Sequence, residues 1–159
     1  MEISKILLIL INISVILTIH LLDFSKDVPQ TPYLLSERVI QVCLILISCI
    51  CFFGGTFQMY KGDPCSPRVD NIHRFLGGIY FSFGVIAVWM AKTIQVQTTL
   101  IYLTSITIGI GAGGRILSII DYGLPEPKIA FLAYVTSEII FPIIIVIAQI
   151  TTDNIRLPI

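Results

Sequence analysis

Long apolar stretches recur along the whole chain and constrain its fold more than any other feature. They lie at about residues 5–22, 39–60, 75–91, 99–120 and 129–150. About 20 apolar residues in an α-helix are enough to cross the ~30 Å hydrocarbon core of a bilayer. Only a helix satisfies its own backbone hydrogen bonds within that core, and the alternating strands of a membrane β-barrel are not seen. The sequence therefore predicts an all-α polytopic membrane protein.

Charge is scarce and balanced in this chain. Hydrophobic residues make up 55% of the 159 residues and charged residues only 13%, against about 25% charged residues in soluble domains. The formal net charge is +0, which argues against a nucleic acid partner. The connections between the apolar stretches are too short to hold a soluble domain, so we expect the function to lie within the helices or at their ends.

Three regions follow from this pattern. Residues 1–38 form an N-terminal apolar helix and its connecting loop, residues 39–150 a four-span membrane domain, and residues 151–159 a short polar tail. A cleaved signal peptide is the alternative for the first stretch, but no A-x-A-like cleavage site follows it. We therefore expect a four-helix transmembrane bundle plus an extra N-terminal apolar helix. The distribution of Lys and Arg in the connections places the N-terminus in the cytoplasm.

Two charged residues fall inside predicted spans. Arg115 lies about two turns before Asp121, and Glu138 lies about ten residues into the last span. Charges in hydrocarbon are costly and usually face a partner or a cavity. Because the fourth and fifth spans run in opposite directions, both side chains lie inward from the same membrane face. An Arg115–Glu138 ion pair is the simplest arrangement that holds both.

Pro142 adds a second feature to the last span. It follows Glu138 by four residues and has no N–H, so the carbonyl of residue 138 loses its helical partner. A carboxylate and a free carbonyl on one turn are suited to a cation or a proton. Glu138 is the only candidate metal ligand, and we expect no cofactor. Plain structural pairing with Arg115 and a ligand, cation or proton role both stay open.

A polar group precedes the third span. Asn71, His73 and Arg74 stand directly before a glycine-containing apolar run, on the membrane side where Arg115 and Asp121 are expected. They could form one polar cluster at the cytoplasmic mouth of a bundle, with Glu138 as its deepest member. The alternative for Arg74 is a side chain that extends to the lipid headgroups from a helix end.

Glycines predict where helices approach each other closely. Gly77 and Gly78 follow Arg74 by one turn, and Gly109 and Gly113 form a G-x-x-x-G pair in the fourth span. The stretch GIGAGG at 109–114 also satisfies G-x-G-x-x-G. We reject a dinucleotide site, because that motif needs a strand before it and a helix after it. Helix packing is the better interpretation.

Several of these pieces, taken in order, resemble a known family. N-x-x-R-F-L-G-G-I-Y at 71–80, G-R-I-L-S at 114–118, G-L-P at 123–125, and Glu138 with Pro142 are similar to the pattern of the AciT-like proteins, small bacterial inner-membrane proteins of unknown function. The resemblance implies a four-helix core, a homo-oligomer that is a trimer, and a role in envelope maintenance. The positions it carries are Asn71, Arg74, Gly77, Gly78, Tyr80, Gly114, Arg115, Ser118, Gly123, Pro125 and Glu138.

The functional expectation combines these observations. We expect a non-enzymatic, multi-pass protein of the bacterial inner membrane that binds membrane lipid or another hydrophobic ligand at the polar cluster. A small transporter or a cation or proton pathway through Glu138 is the alternative. An enzyme is disfavoured, since the chain has no G-x-S-x-G or H-E-x-x-H motif and no Cys-x-x-Cys pair.

Overall fold

A computed structural model describes residues 31–156 of the chain, together with Ile6, Ile9, Leu10, Asn12, Ile13 and Leu17. It contains four long helices: α1 (Leu35–Lys61), α2 (Pro67–Lys92), α3 (Thr98–Tyr122) and α4 (Lys128–Arg156). A short 3₁₀ helix (Ile94–Val96) joins α2 to α3. The described residues contain no strand, so their all-helical class is confirmed. The predicted helix over 5–22, with its signal-peptide alternative, falls almost wholly outside the described residues and stays a prediction.

All four helices are long and apolar enough to cross a membrane. The shortest has 25 residues, which corresponds to ~37 Å at 1.5 Å per residue. Many large apolar side chains on them are exposed, among them Phe53 at 68% and Ile110 at 72%. Exposed apolar side chains on such helices are what lipid contact requires. The sequence therefore predicted these four helices correctly as candidate membrane spans.

The helices extend beyond the apolar stretches. α2 begins at Pro67 rather than at 75, and α4 continues to Arg156, so the polar residues 151–156 belong to the last helix. The hydroxyl of Ser66 accepts the backbone N–H of Val69 and caps α2. Gly62 ends α1 with a positive φ of 63°, a conformation that glycine adopts at no steric cost.

The chain divides into two compact units. The first comprises residues 1–28 and 44–93, and the second comprises residues 29–43 and 94–159. In the first unit, α1 and α2 approach at their backbones, because a Cβ added to Gly55 would lie 2.6 Å from the carbonyl oxygen of Gly77. The rings of Phe52 and Phe81 pack nearby, with 4.9 Å between their centroids. Gly77 thus lies where α2 meets α1, and Gly55 is the residue opposite it.

The second unit is built on α3 and α4, which pack against each other, and on the first turns of α1. Ile40, Ile101 and Ile145 are fully buried there. Two groups of polar residues matter for the site: an ion pair between α3 and α4, inward from the loop that joins them, and a larger network where α1 begins and α4 ends.

Candidate intramembrane polar site

The predicted ion pair between Arg115 and Glu138 forms. Nε of Arg115 donates to Oε2 of Glu138 at 2.7 Å, which is a short, charge-assisted hydrogen bond. The helix-to-helix packing of α3 on α4 brings together two residues that are 23 positions apart. The arrangement holds one cation and one anion between two apolar helices.

The pair lies inward from the loop that joins α3 to α4. Arg115 is seven residues before the end of α3 at Tyr122, which corresponds to ~10 Å along the helix. Glu138 is ten residues into α4, or ~15 Å from its start. The Arg115 side chain is 30% exposed and that of Glu138 only 14%. The cation is therefore the more accessible member of the pair.

Aromatic and proline residues surround this pair on α4. The ring centroid of Phe131 is 5.8 Å from the guanidinium carbon of Arg115, within the range of a cation–π contact. Pro142 is buried inside α4, and the helix runs through it without a break. Because proline has no N–H, the carbonyl of Glu138 receives no helical hydrogen bond from position 142. The carboxylate and this carbonyl occur on one turn, as the sequence indicates.

The glycine stripe before Arg115 is open. No atom of a non-neighbouring residue lies within 4 Å of a Cβ built on Gly109, Gly111, Gly113 or Gly114, as far as the described chain extends. The described residues therefore leave this smooth surface uncovered. Its role in helix packing stays a prediction. A lipid chain or a helix of a second copy of the protein would have to cover this surface.

Ser118 and Asp121 do not join the Arg115–Glu138 pair. Both are exposed on the last turns of α3, and in the described part of the chain neither side chain makes a hydrogen bond or an ion pair. They lie on the accessible end of the helix, on the side of the pair that faces the 123–127 connection.

Arg74 has a local role that the sequence did not indicate. Its Nε pairs with Oδ2 of Asp70 at 2.9 Å, and it also donates to the carbonyl of Met59 near the end of α1. Oδ1 of Asp70 accepts the backbone N–H of Asp63 at 2.9 Å. Arg74 and Asp70 therefore fasten the turn between α1 and α2. These contacts engage the Arg74 guanidinium within the protein, so its position is explained without a ligand or a lipid headgroup.

The predicted joint cluster divides between the two units. Asn71, which is exposed, belongs to the first unit with Arg74, whereas Arg115 and Glu138 belong to the second. Within each unit the contacts are those given above. A single cluster formed by all of these residues stays a prediction.

A second ion pair was missed by the sequence analysis. Arg156, at the end of α4, makes two hydrogen bonds to the carboxylate of Glu37, Nε to Oε1 at 2.7 Å and Nη2 to Oε2 at 2.9 Å. The backbone N–H of Leu34 adds a third at 2.8 Å. Glu37 is only 1% exposed, and the Arg156 side chain is 30% exposed. This is the most completely buried charge in the described part of the chain.

Further polar contacts continue from this pair along α4. The hydroxyls of Ser36 and Thr152 are 2.7 Å apart, and Tyr102 donates to Asp153 at 2.9 Å. Gln149 donates to the other carboxylate oxygen of Asp153 at 2.8 Å. The spacing of positions 149, 152, 153 and 156 on one helical face is a signal that could have been found. It was overlooked because residues 151–159 were interpreted as a tail.

No group of three His, Cys, Asp or Glu side chains suited to a metal ion occurs among the described residues.

Comparison with known proteins gives one family. The pattern of the family described as Domain of unknown function (DUF4345) matches residues 39–149. No curated protein matches the chain, and no solved structure matches it. The family match gives no evidence for the narrower AciT-like assignment.

Proposed function

The chain belongs to the family described as Domain of unknown function (DUF4345), and we propose that it is a non-enzymatic membrane protein that binds lipid beside the Arg115–Glu138 pair. The observation that carries the proposal is a partly exposed arginine paired inside an apolar helix pair. A phosphate or another anionic headgroup is the ligand that a guanidinium at this depth suits best.

Energetics support a role beyond stability. Exchanging a buried ion pair for well-packed apolar residues is often neutral or stabilising, whereas breaking the pair is strongly destabilising. A pair of this kind is therefore weak evidence for a stabilising purpose. Ionisable residues inside membrane spans more often mark binding sites or ion pathways. Arg115 and Glu138 fit that class.

Accessibility supports a lipid in particular. The Arg115 side chain is about one-third exposed, and the open glycine surface of Gly111 and Gly114 flanks it. A glycine surface lets an acyl chain or another helix approach the backbone closely. An amphipathic ligand could thus place its anionic group near Arg115 and its chain along α3. A small apolar ligand without a charge would use only the glycine surface.

The wider setting is part of the proposal. We place the protein in the bacterial inner membrane, in envelope maintenance and in a homo-oligomer, as the AciT-like resemblance implies. Four helices that are apolar enough to cross a membrane support the membrane setting. The trimer and the envelope role depend on the resemblance alone.

A second candidate function is favoured by Pro142. One turn of α4 carries the Glu138 carboxylate and, because Pro142 has no N–H to donate, a Glu138 carbonyl that lies outside the regular helical hydrogen bonding. A cation or proton pathway through Glu138 would use them. Glu138→Gln would then abolish ion-dependent flux in liposomes while the protein still assembles.

Native mass spectrometry in mild detergent tests the proposed function. Wild type is compared with Arg115→Gln and Glu138→Gln, reading bound lipid mass and subunit number together. Glu37→Gln and Arg156→Gln are matched controls, because they break another buried ion pair of the same unit. The proposal expects Arg115→Gln to carry one phospholipid fewer per chain than wild type, while the controls carry as many as wild type. If every variant carries as many phospholipids as wild type and the Arg115 and Glu138 variants only lose stability, the pair is structural and the proposal is wrong.

A further inference from the structure

A groove runs along one face of α2, in the unit that does not contain Arg115 and Glu138. It has a volume of about 520 Å³ and is lined by Phe75, Gly78, Ile79, Ser82, Phe83 and Ile86. These positions recur at helical spacing, so they share one face of the helix. Phe75 is 65% exposed, and Ile79 is 49% exposed. The groove is therefore accessible from outside the protein.

The floor of the groove is apolar and has its polar atoms satisfied. Gly78 leaves a gap, and a Cβ built on it would meet only Sδ of Met59, at 3.9 Å. The hydroxyl of Ser82 donates to the carbonyl of Gly78 at 2.9 Å, so it needs no partner from outside. Phe75 and Phe83 also line the groove. Such a floor suits a hydrocarbon chain, which can neither donate nor accept a hydrogen bond.

The length of the groove matches one leaflet of a bilayer. From Phe75 to Ile86 the helix rises ~16 Å, about half of a ~30 Å hydrocarbon core. Arg74 directly precedes the groove, and no further charged residue follows it on α2 until Lys92. The groove therefore starts where the polar part of α2 ends and is about as long as one leaflet of the hydrocarbon core is thick.

A cation stands at the polar end of the same face. Arg68 precedes Phe75 by seven residues, two helical turns, and Asn71 lies between them on that face. Arg68 is exposed and makes no hydrogen bond or ion pair with any other residue that the structure describes. Arg74, in contrast, is engaged with Asp70. A guanidinium binds phosphate through paired N–H donors, and Arg68 has its donors available for this.

We propose that this face of α2 binds one glycerophospholipid, with an acyl chain in the groove and the phosphate at Arg68 and Asn71. The site is independent of the Arg115–Glu138 pair and does not rest on the proposed function. A transmembrane helix would also cover apolar side chains, but it would not explain an unpaired cation at the headgroup end only. The coincidence of a leaflet-long groove with that cation favours a phospholipid.

The only tryptophan of the chain provides the measurement. Trp89 lies one turn beyond Ile86 on α2, so a chain bound in the groove ends close to it. Phosphatidylglycerol with brominated acyl chains is titrated into the detergent-solubilised protein, and quenching of Trp89 fluorescence is recorded. Brominated diacylglycerol, which has no phosphate, is titrated in parallel. Wild type should show saturable quenching that is tighter for the phospholipid.

Two variants and two controls distinguish the outcomes. Gly78→Leu fills the gap and should abolish the saturable quenching, while Arg68→Gln should weaken binding about tenfold for the phospholipid only. Gly54→Leu and Lys92→Gln are the controls: a Cβ on Gly54 meets no atom within 4 Å among the described residues, and Lys92 ends the same helix. Both should bind as wild type does.

The proposal is overturned if Gly78→Leu is quenched like wild type or if quenching is linear in all variants. It is also overturned if Gly78→Leu changes the subunit number while quenching persists, since the groove would then hold a helix of a second copy. Equal affinity for the phospholipid and the diacylglycerol would show that the phosphate does not contribute to binding, which also contradicts the proposal. Arg68→Gln alone still decides the headgroup contact if Gly78→Leu does not fold.

Discussion

Removal of Arg156 should be the most damaging single loss of a charge in the second unit. Arg156→Met would remove both hydrogen bonds to Glu37 and leave its carboxylate, which is 1% exposed, with only neutral partners. Breaking a buried pair costs about 3–5 kcal/mol. Because the Arg156 side chain is 30% exposed, water relieves part of this penalty, and we expect a loss of about 3 kcal/mol in the free energy of unfolding.

Removal of the partner charge, Glu37, should lower the free energy of unfolding by less. In Glu37→Gln the guanidinium of Arg156 keeps its exposed edge and can turn to water, so we expect about 1–2 kcal/mol. The asymmetry follows from the burial of the two partners and not from the strength of their contact. Arg38→Met is the control, because Arg38 is exposed and contacts Gln41 and the ring of Tyr33; it should cost about 1 kcal/mol or less.

Equilibrium unfolding in mixed micelles, by titration with a denaturing detergent, measures these free energies. The double variant should lose less than the sum of the two single variants, with a coupling energy of about 1–3 kcal/mol. Equal losses in the two single variants, or a loss below about 0.5 kcal/mol for Arg156→Met, would refute the reasoning. Glu37 would then not be buried with its charge in the folded protein.

The remaining predictions concern glycines. Gly55→Ala should destabilise the protein by about 1–3 kcal/mol, since its Cβ would lie 2.6 Å from a backbone atom of α2. Gly54→Ala, whose Cβ meets no atom within 4 Å among the described residues, should stabilise it by up to about 1 kcal/mol. Unfolding titrations measure both changes. Gly62→Ala should cost at least about 1 kcal/mol in the same assay, because it requires a positive φ beside the Asp70 carboxylate. Gly109→Leu with Gly113→Leu should not lower monomer stability but should abolish a homo-oligomer in native mass spectrometry. An unchanged subunit number would contradict packing through this stripe.

The sequence predicted the features that depend on the length of apolar stretches and on the free-energy cost of placing a charge in hydrocarbon. Apolar stretches near 20 residues identify helices in a membrane whatever their packing, so all four were found, although α2 begins eight residues before its apolar stretch and α4 ends six residues after its own. Arg115 and Glu138 stood out for the same reason, since a charge inside such a stretch is expensive. Antiparallel order then brought the two residues to similar depths, and their contact could be inferred.

The missed features are those where the residue type is ordinary for its position. Glu37 and Arg156 lie at helix ends, where charges are common, and 119 positions separate them. Their pairing depends on how α4 packs against the start of α1, which no local pattern encodes. Arg74 was noticed, but its i,i+4 partner Asp70 on the same helix was overlooked, and its contact with the carbonyl of Met59 depends on the turn between α1 and α2. The contact of Gly77 with Gly55 likewise needed the crossing of two helices.

The pairing of Glu37 with Arg156 also has a consequence for how the protein is made. At about 5–20 residues per second, the ribosome needs about 6–24 s to add the 119 positions that separate the carboxylate from its guanidinium. During this time α1 exists without the cation that the buried Glu37 has in the folded protein. We expect the first turn of α1 to stay at the membrane surface in the growing chain and to be drawn in only when the last turn of α4 arrives. Assembly of this unit would then be completed from its final helix backwards to its first.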